Sequence, residues 1–304
     1  MMPLVSVCMT TYNHEPYIAQ AIESVLNQRC SFDVEVVLGE DCSSDNTLAI
    51  CRKYEAQYPD KVRVITSTNN VGMKANYRRT IEACRAEYIA MCDGDDWFSD
   101  PDKLQLQIDT IQKEGCAMCY TRSERRKESG STIYPSAGLN ESFETMLVLN
   151  TAENCTVVAK KELILQYYDE VKPETHPEWL TDDLPMWLWF AATQTIKAID
   201  RVTAVHRVLE SSVSHSSNWQ KSLRFCDSLA DIMLWFDKNY GKSRQRAFLL
   251  RRKQNDALWV LSYHGTIANF ITRWWSESIQ NPILFTNIAA YGLFAKKIFY
   301  RMWL

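Results

Sequence analysis

The sequence predicts an α/β protein with a Rossmann-like, mostly parallel central sheet flanked by helices, followed by a C-terminal α-helical appendage. Three observations carry this. Short apolar runs and amphipathic helical patterns alternate four times over residues 4–111, and such alternation builds parallel sheets with right-handed crossovers. Each run ends in polar side chains: Thr10 and Thr11, Glu40 and Asp41, Asn69 and Asn70, Asp93 and Asp95. Beyond about Trp219 only helical periodicity is left. The expected domains are therefore residues 1–218 and 219–304, with the boundary near Asn218.

Residues 4–10 form a short apolar run with β-branched members, which reads as a buried strand. Thr11, Tyr12, Asn13 and His14 break it, and Pro16 suits the first turn of a helix. Ile18, Ala21, Ile22, Val25 and Leu26 then make one apolar helix face. Residues 34–39 are a second buried strand, and Ser44 or Asp45 caps the helix that follows. Residues 62–65 are a third strand, with a helix over 74–84. Residues 88–92 are the fourth, and Pro101 opens a helix carrying Leu104, Ile108 and Ile111. After Cys116 the pattern loosens. Strands are expected at 116–121, 154–160 and 196–205, helices at 162–168 and 186–192, and polar loops at 122–138 and 211–217. Two helices, one near 223–236 and one over 244–261, precede an aromatic-rich last stretch, 270–304.

Composition narrows the function. A chain of 304 residues, 46% hydrophobic, can bury a full core, and a net charge of −3 argues against nucleic acid as the main partner. The ten cysteines show no paired ligand spacing. Cys116 and Cys119 form a lone CxxC in an apolar run, read as core packing. Scattered thiols and the lack of a secretory signal point to the cytoplasm. The sequons at Asn140 and Asn154 then carry no weight, and no run reaches transmembrane length.

Asp93, Gly94, Asp95 and Asp96 follow directly on the fourth strand. Unpaired charges are excluded from a buried strand, so they emerge at its carboxyl end, where open α/β sheets bind ligands. Asp93 and Asp95 point the same way in extended backbone. Gly94 between them permits a sharp turn and close approach of a ligand. Two converging carboxylates suit Mg²⁺ or Mn²⁺ shared with phosphate oxygens. The competing reading is an acidic strand-to-helix turn with Asp96 or Asp100 as a cap.

Taken in order, residues 5–13, Glu40 to Thr47, Asn70-Val71-Gly72 and Asp93 to Asp96 resemble the family 2 glycosyltransferases, over residues 4 to about 215. That resemblance implies the GT-A fold and inverting sugar transfer from a nucleotide donor, UDP in the first instance. It implies that Thr10, Thr11, Tyr12 and Asn13 border the nucleotide, with Glu15 near the ribose or base. Asp41 would accept the uracil N–H, and Asn70 and Lys74 would approach the nucleotide. Asp93 would meet ribose or the metal's waters, and Asp95 would ligate Mn²⁺ or Mg²⁺. Thr181-Asp182-Asp183-Leu184 resembles the family's later acidic pair, with Asp in place of its Glu and an unusual Pro185. Asp183, or else Asp182, would be the general base, and a helix N-cap is the bland alternative there. Val205-His206-Arg207 with Ser212, Ser214 and His215 resembles the segment closing over the diphosphate, so His206 and Arg207 would contact it and His215 the metal. Each of these His residues has surface or core packing as its alternative.

The acceptor would be a saccharide or a lipid-linked saccharide. Residues 122–127, four of them basic, are either an anionic-acceptor site or a solvated charged loop. Trp274, Trp275, Phe285, Phe294, Phe299 and Trp303 either pack on the catalytic domain or a partner subunit, in a homo-oligomer, or rest on a membrane surface. That second reading would place the protein at the inner face of the membrane. A non-catalytic nucleotide- or carbohydrate-binding module is the alternative function. A nucleotidyltransferase is set aside, because Thr11 to His14 lacks a Gly-rich basic loop.

Overall fold

The computed structural model describes residues 2–130, 132–133, 138–209 and 218–302. The chain forms two compact units, Met1–Thr175 with Met186–Val208 and His176–Pro185 with Leu209–Leu304.

The first half follows the βα alternation: β1 (Val5–Thr11), α1 (Ile18–Leu26), β2 (Val34–Glu40), α2 (Thr47–Gln57), β3 (Val62–Ile65), α3 (Met73–Ala83) and β4 (Tyr88–Met91). Then come β5 (Trp97–Phe98), α4 (Lys103–Glu114), β6 (Met118–Lys127), β7 (Thr132–Ile133), α5 (Phe143–Val148), β8 (Val157–Lys160), α6 (Lys161–Val171), α7 (Asp183–Thr193) and β9 (Ile196–Val208). The sheet runs β3-β2-β1-β4-β8-β6-β9-β5, with β7 beside β6. From β3 to β4 it is parallel, so the carboxyl ends of β1, β2 and β4 lie side by side. β8 enters antiparallel to both β4 and β6, which makes the whole sheet mixed.

The central strands β1, β2 and β4 are mostly apolar because both faces are covered. Val7, Met9, Leu38 and Ala90 pack with Ile18, Ile22 and Val25 of α1 and Leu104 and Ile108 of α4. On β2 the approach of α3 is close. A Cβ on Gly39 would fall 1.9 Å from Thr80 Oγ1, so only glycine fits.

Several expectations were shorter than the elements formed. The 122–138 loop begins as strand, since β6 continues to Lys127 and pairs in parallel with β9 as far as Val208. Residues 154–156 are a 3₁₀ turn ahead of β8, and α5 had no sequence signal. The arginines of 122–127 are spent locally: Arg122 on Asp200, Arg125 on Glu153 and Arg126 on Glu124. Cys116 and Cys119 are both buried in the core, as their apolar setting implied. The polar loop expected at 211–217 lies outside the described residues.

In the second unit, α8 (Trp219–Asn239), α9 (Arg246–His264), α10 (Ile267–Gln280) and α11 (Ile288–Met302) follow one another. Asn218, at the expected boundary, caps α8, its side chain accepting the Gln220 and Lys221 amides at 3.0 and 3.2 Å. Leu258, Leu261, Phe270 and Ala290 form the core, with Trp219, Leu223, Trp274, Leu293 and Phe294 around it. The buried Lys297 ammonium donates to the carbonyls of Leu261, Ser262 and Gly265 at 3.0, 2.8 and 2.6 Å. A cation there satisfies the otherwise open end of α9.

Glu35 places a carboxylate inside the sheet, on β2. Glu35 accepts from Ser6 Oγ at 2.6 Å, the Arg85 amide at 2.8 Å and Arg85 Nε at 2.9 Å. Burial pushes its carboxyl up, but Ser6, Arg85 and Arg63 outweigh that and hold it below the usual glutamate range. A depressed carboxylate contributes stability that is full above the unfolded value and lost as pH falls through the folded one. Glu35→Gln should therefore cost about 1–3 kcal/mol near neutral pH and remove part of the acid destabilisation. Denaturant titrations of both proteins from pH 7 to pH 3 measure it.

Candidate active site

The polar strand ends assemble into one constellation at the carboxyl edge of β1, β2 and β4. Its centre is the turn after β4. Asp93 accepts from Thr10 Oγ1 at 2.8 Å, from Asn154 Nδ2 at 2.8 Å and from the Tyr77 hydroxyl. Asn154 also donates to that hydroxyl. Burial, then the neighbouring Asp96 charge, raises the Asp93 pKa, and the three donors work against this. Asp96 is buried and accepts the Arg207 amide at 2.8 Å, with His206 Nδ1 at 3.3 Å. Burial disfavours a charged His206, but Asp96, Glu153 and Asp95 outweigh it and raise it to about 9.

Asp95 is different. Its carboxylate has no side-chain hydrogen-bond partner among the described residues, and burial, Asp96 and Asp93 push its pKa well up. The fold holds it by the backbone instead. Arg207 Nε donates to the Asp95 carbonyl at 2.9 Å and Arg207 Nη2 to Gln20 at 2.8 Å. The guanidinium lies over the rings of Tyr17 and Trp97, at 4.5 and 4.7 Å from their centroids. Arg207 thus braces the acidic turn.

Gly94 is required by crowding from β1. A Cβ there would lie 2.7 Å from Thr11 Oγ1 and 3.0 Å from His14 Nδ1. Those two atoms are buried and have no hydrogen-bond partner among the described residues. Burial lowers the His14 pKa to about 4, against the pull of Asp96, so the ring is neutral at pH 7. Unpaired buried polar atoms beside a carboxylate that repels its neighbours fit a polar, cation-bearing ligand. Among the described residues no group of three His, Cys, Asp or Glu side chains is gathered as a metal cage.

The neighbouring loops are tied together by residues that looked like ligands. Asn13 Oδ1 accepts the Ser44 amide at 2.8 Å, and Glu15 accepts from the Asn46 amide and side chain at 3.0 and 2.7 Å. Asp41 is buried and accepts the Val71 and Gly72 amides at 2.8 and 3.0 Å, while Asn70 Nδ2 donates to the Asp41 carbonyl at 3.0 Å. Lys74 reaches the Pro173 carbonyl at 3.4 Å. Tyr12 is exposed.

Asp182 and Asp183 belong to the second unit. Asp183 opens α7 and accepts the Leu184 amide at 2.7 Å, together with the Thr181 hydroxyl. Asp182 is buried. The segment is fastened to α8: Leu180 N–H donates to Ser228 Oγ at 2.7 Å, and Trp179 packs on Trp235 and Phe236 while stacking on His176 at 4.0 Å. His215, with Ser212 and Ser214, lies outside the described residues.

Tyr77 and Asn154 were missed by the sequence reading. Tyr77 sits in an ordinary helix pattern and Asn154 in a sequon, and neither spacing reveals that both meet Asp93. Asn154→Ala would leave a buried carboxylate short of a donor and should cost about 1–3 kcal/mol of stability. Tyr77→Phe should cost a comparable amount. The double variant should cost less than the sum, because the two share one network. Chemical denaturation of the three variants tests this.

Comparison with known proteins agrees with the geometry. Residues 6–161, more than half of the chain, match the family described as Glycosyl transferase family 2. An uncharacterized protein of Mycobacterium tuberculosis, Rv1520, is 31% identical over 180 residues, 57% of this chain and 51% of that protein. The chain thus spans about half the length of that curated relative. A protein of Bacillus subtilis named as a teichuronic acid biosynthesis glycosyltransferase, TuaG, is 28% identical over 221 residues, 72% of this chain and 84% of that one. Among solved structures, S. aureus TarS in complex with UDP aligns over 100% of this chain and 92% of its own, with TM-score 0.57 and 15% identity. The mannosyltransferase PcManGT of Pyrobaculum calidifontis, in complex with GDP-Man and Mn²⁺, aligns over 100% and 88%, with TM-score 0.59 and 14% identity. With its parallel β3-β2-β1-β4 core and the acidic turn at the end of β4, the chain has the GT-A fold and belongs to glycosyl transferase family 2.

Proposed function

We propose that this protein is an inverting glycosyltransferase of polysaccharide biosynthesis. It would move a sugar from a nucleotide-diphosphate donor, a UDP-sugar, to a hydroxyl of a saccharide or lipid-linked saccharide. Asp95 carries the reading: of three adjacent carboxylates it alone is left uncommitted by the fold's side chains. TarS, solved with UDP, PcManGT, solved with GDP-Man and Mn²⁺, and the name of TuaG support the donor class and the setting.

Transfer breaks the bond from the sugar carbon to the diphosphate, which departs with growing negative charge. Asp95 would hold Mn²⁺ or Mg²⁺, which would supply stabilisation of that charge. Asp93, clamped by Thr10, Tyr77 and Asn154, offers its remaining lone pairs to ribose or to ordered water. Asp41 likewise keeps lone pairs beyond those taken by Val71 and Gly72, and these accept the uracil N–H. Thr10, Thr11, Tyr12, Asn13, Glu15, Asn70 and Lys74 border the nucleotide, and Gly94 keeps the floor open under Thr11 and His14. His206 and Arg207 set the positive side of the acidic turn, toward the diphosphate. Asp183 accepts the proton of the attacking hydroxyl as general base, with Asp182 as the alternative, a contribution of roughly 10²–10⁴-fold.

Asp95→Ala and Asp183→Asn should each lower transfer by at least about 10²-fold with unchanged circular dichroism. Full activity of Asp183→Asn beside an inactive Asp182→Asn would move the base to Asp182. Thermal shifts with UDP-, GDP- and dTDP-sugars plus Mn²⁺ should be largest for a UDP-sugar. A shift without turnover on any acceptor would make the chain a binding module.

A further inference from the structure

The C-terminal helices keep an apolar stripe that folding leaves in water. On α10, Phe270 and Ser278 are buried in the helical unit, whereas Ile271, Trp275 and Ile279 recur every fourth residue on the outer face. They are 44%, 53% and 57% exposed. Phe285 and Tyr291 extend the patch, joined to it through Trp274: Phe285 lies 5.9 Å from the Trp275 ring, and Tyr291 5.8 Å from Trp274. Ile288, a turn before Tyr291, is 84% exposed. The core beneath is filled by Leu258, Leu261, Phe270, Ala290 and Phe294 without help from any of these. Contiguous exposed apolar side chains of this kind mark an interaction surface.

Charge identifies the partner. From residue 257 to 304 the sequence has a single acid, Glu277, against four cations, Arg273, Lys296, Lys297 and Arg301. Arg273 is shared between Glu277, at 2.6 Å, and Asp227, Lys297 is buried on its three carbonyls, and Lys296 is exposed. The face is therefore apolar and rich in aromatics, with the exposed Lys296 on a segment whose sequence is net positive, the pattern of a helix lying in the interface of an anionic bilayer. A second copy would bring the same positive charge onto itself, which opposes self-pairing. No helix of the described residues is long and apolar enough to cross a membrane, so the fit is to a surface. Of the aromatics first considered for this role, Trp275 and Phe285 face out and Phe294 packs against Phe270 at 5.6 Å. Phe299 and Trp303 fall outside the described side chains.

We propose that the outer face of α10 and α11, with Trp275 at its centre, docks the protein on an anionic lipid surface. The docking stands apart from the sugar chemistry, and its readout is binding, so it can fail or hold without the transferase reading. Full-length protein is sedimented with vesicles of equal parts phosphatidylcholine and phosphatidylglycerol, and with phosphatidylcholine alone. Binding is expected to the mixed vesicles, weaker at high salt and weaker still on phosphatidylcholine. Ile271→Ser with Trp275→Ser should reduce it at least about tenfold while circular dichroism stays unchanged. Ile288→Ser, at the most exposed position, keeps the test open should the double variant not fold. No binding by the wild type, or equal binding by a folded variant, overturns the proposal. A dimer in sedimentation velocity that the variants dissociate, with no vesicle binding, overturns it in favour of a second copy.

Discussion

Three carboxylates within four residues at the end of β4 impose the constraint on which the rest of the site depends. Their charges repel one another where little water reaches, so each must be balanced separately. Asp93 is balanced by hydrogen bonds from β1, α3 and the turn before β8. Asp96 is balanced by the far end of β9, through an amide and a histidine that it holds protonated. Asp95 is held by its backbone and left electrostatically short. Four segments distant in sequence converge to satisfy two acids, and the third keeps no side-chain hydrogen-bond partner among the described residues.

The same economy governs the rim. Asn13 and Glu15 join the loop after β1 to the loop after β2, and Asp41 sets the loop ahead of α3. These residues hold one another in place, so the rim is organised by its own hydrogen bonds. Arg207 shows the limit of reading charge alone. Its guanidinium is stacked between two rings and bonded to a carbonyl, so it shapes the acidic turn as much as it charges it.

The parallel half was legible because each strand is buried on both faces and each helix on one, which leaves a strong periodic signal in Val7, Met9, Ile18 and Ile22. The acidic turn was legible because unpaired charges cannot stay inside such strands. Tyr77 and Asn154 were not. Each reads as ordinary in its own segment, and only the packing of α3 and the turn before β8 against β4 gives them a shared partner. The strand character of residues 122–127 was hidden for a related reason, since its charges are neutralised by Asp200, Glu153 and Glu124.

By itself, the sequence determined the alternation of strands and helices, the polar edge and the family, because these depend on local periodicity and on short runs of residues. The tertiary structure decided which carboxylate stays uncommitted, why residue 94 is glycine, and which aromatics of the C-terminal helices face water. Those outcomes depend on hydrogen bonds and contacts between segments far apart in the chain, and no local pattern encodes which distant side chain will satisfy a given charge.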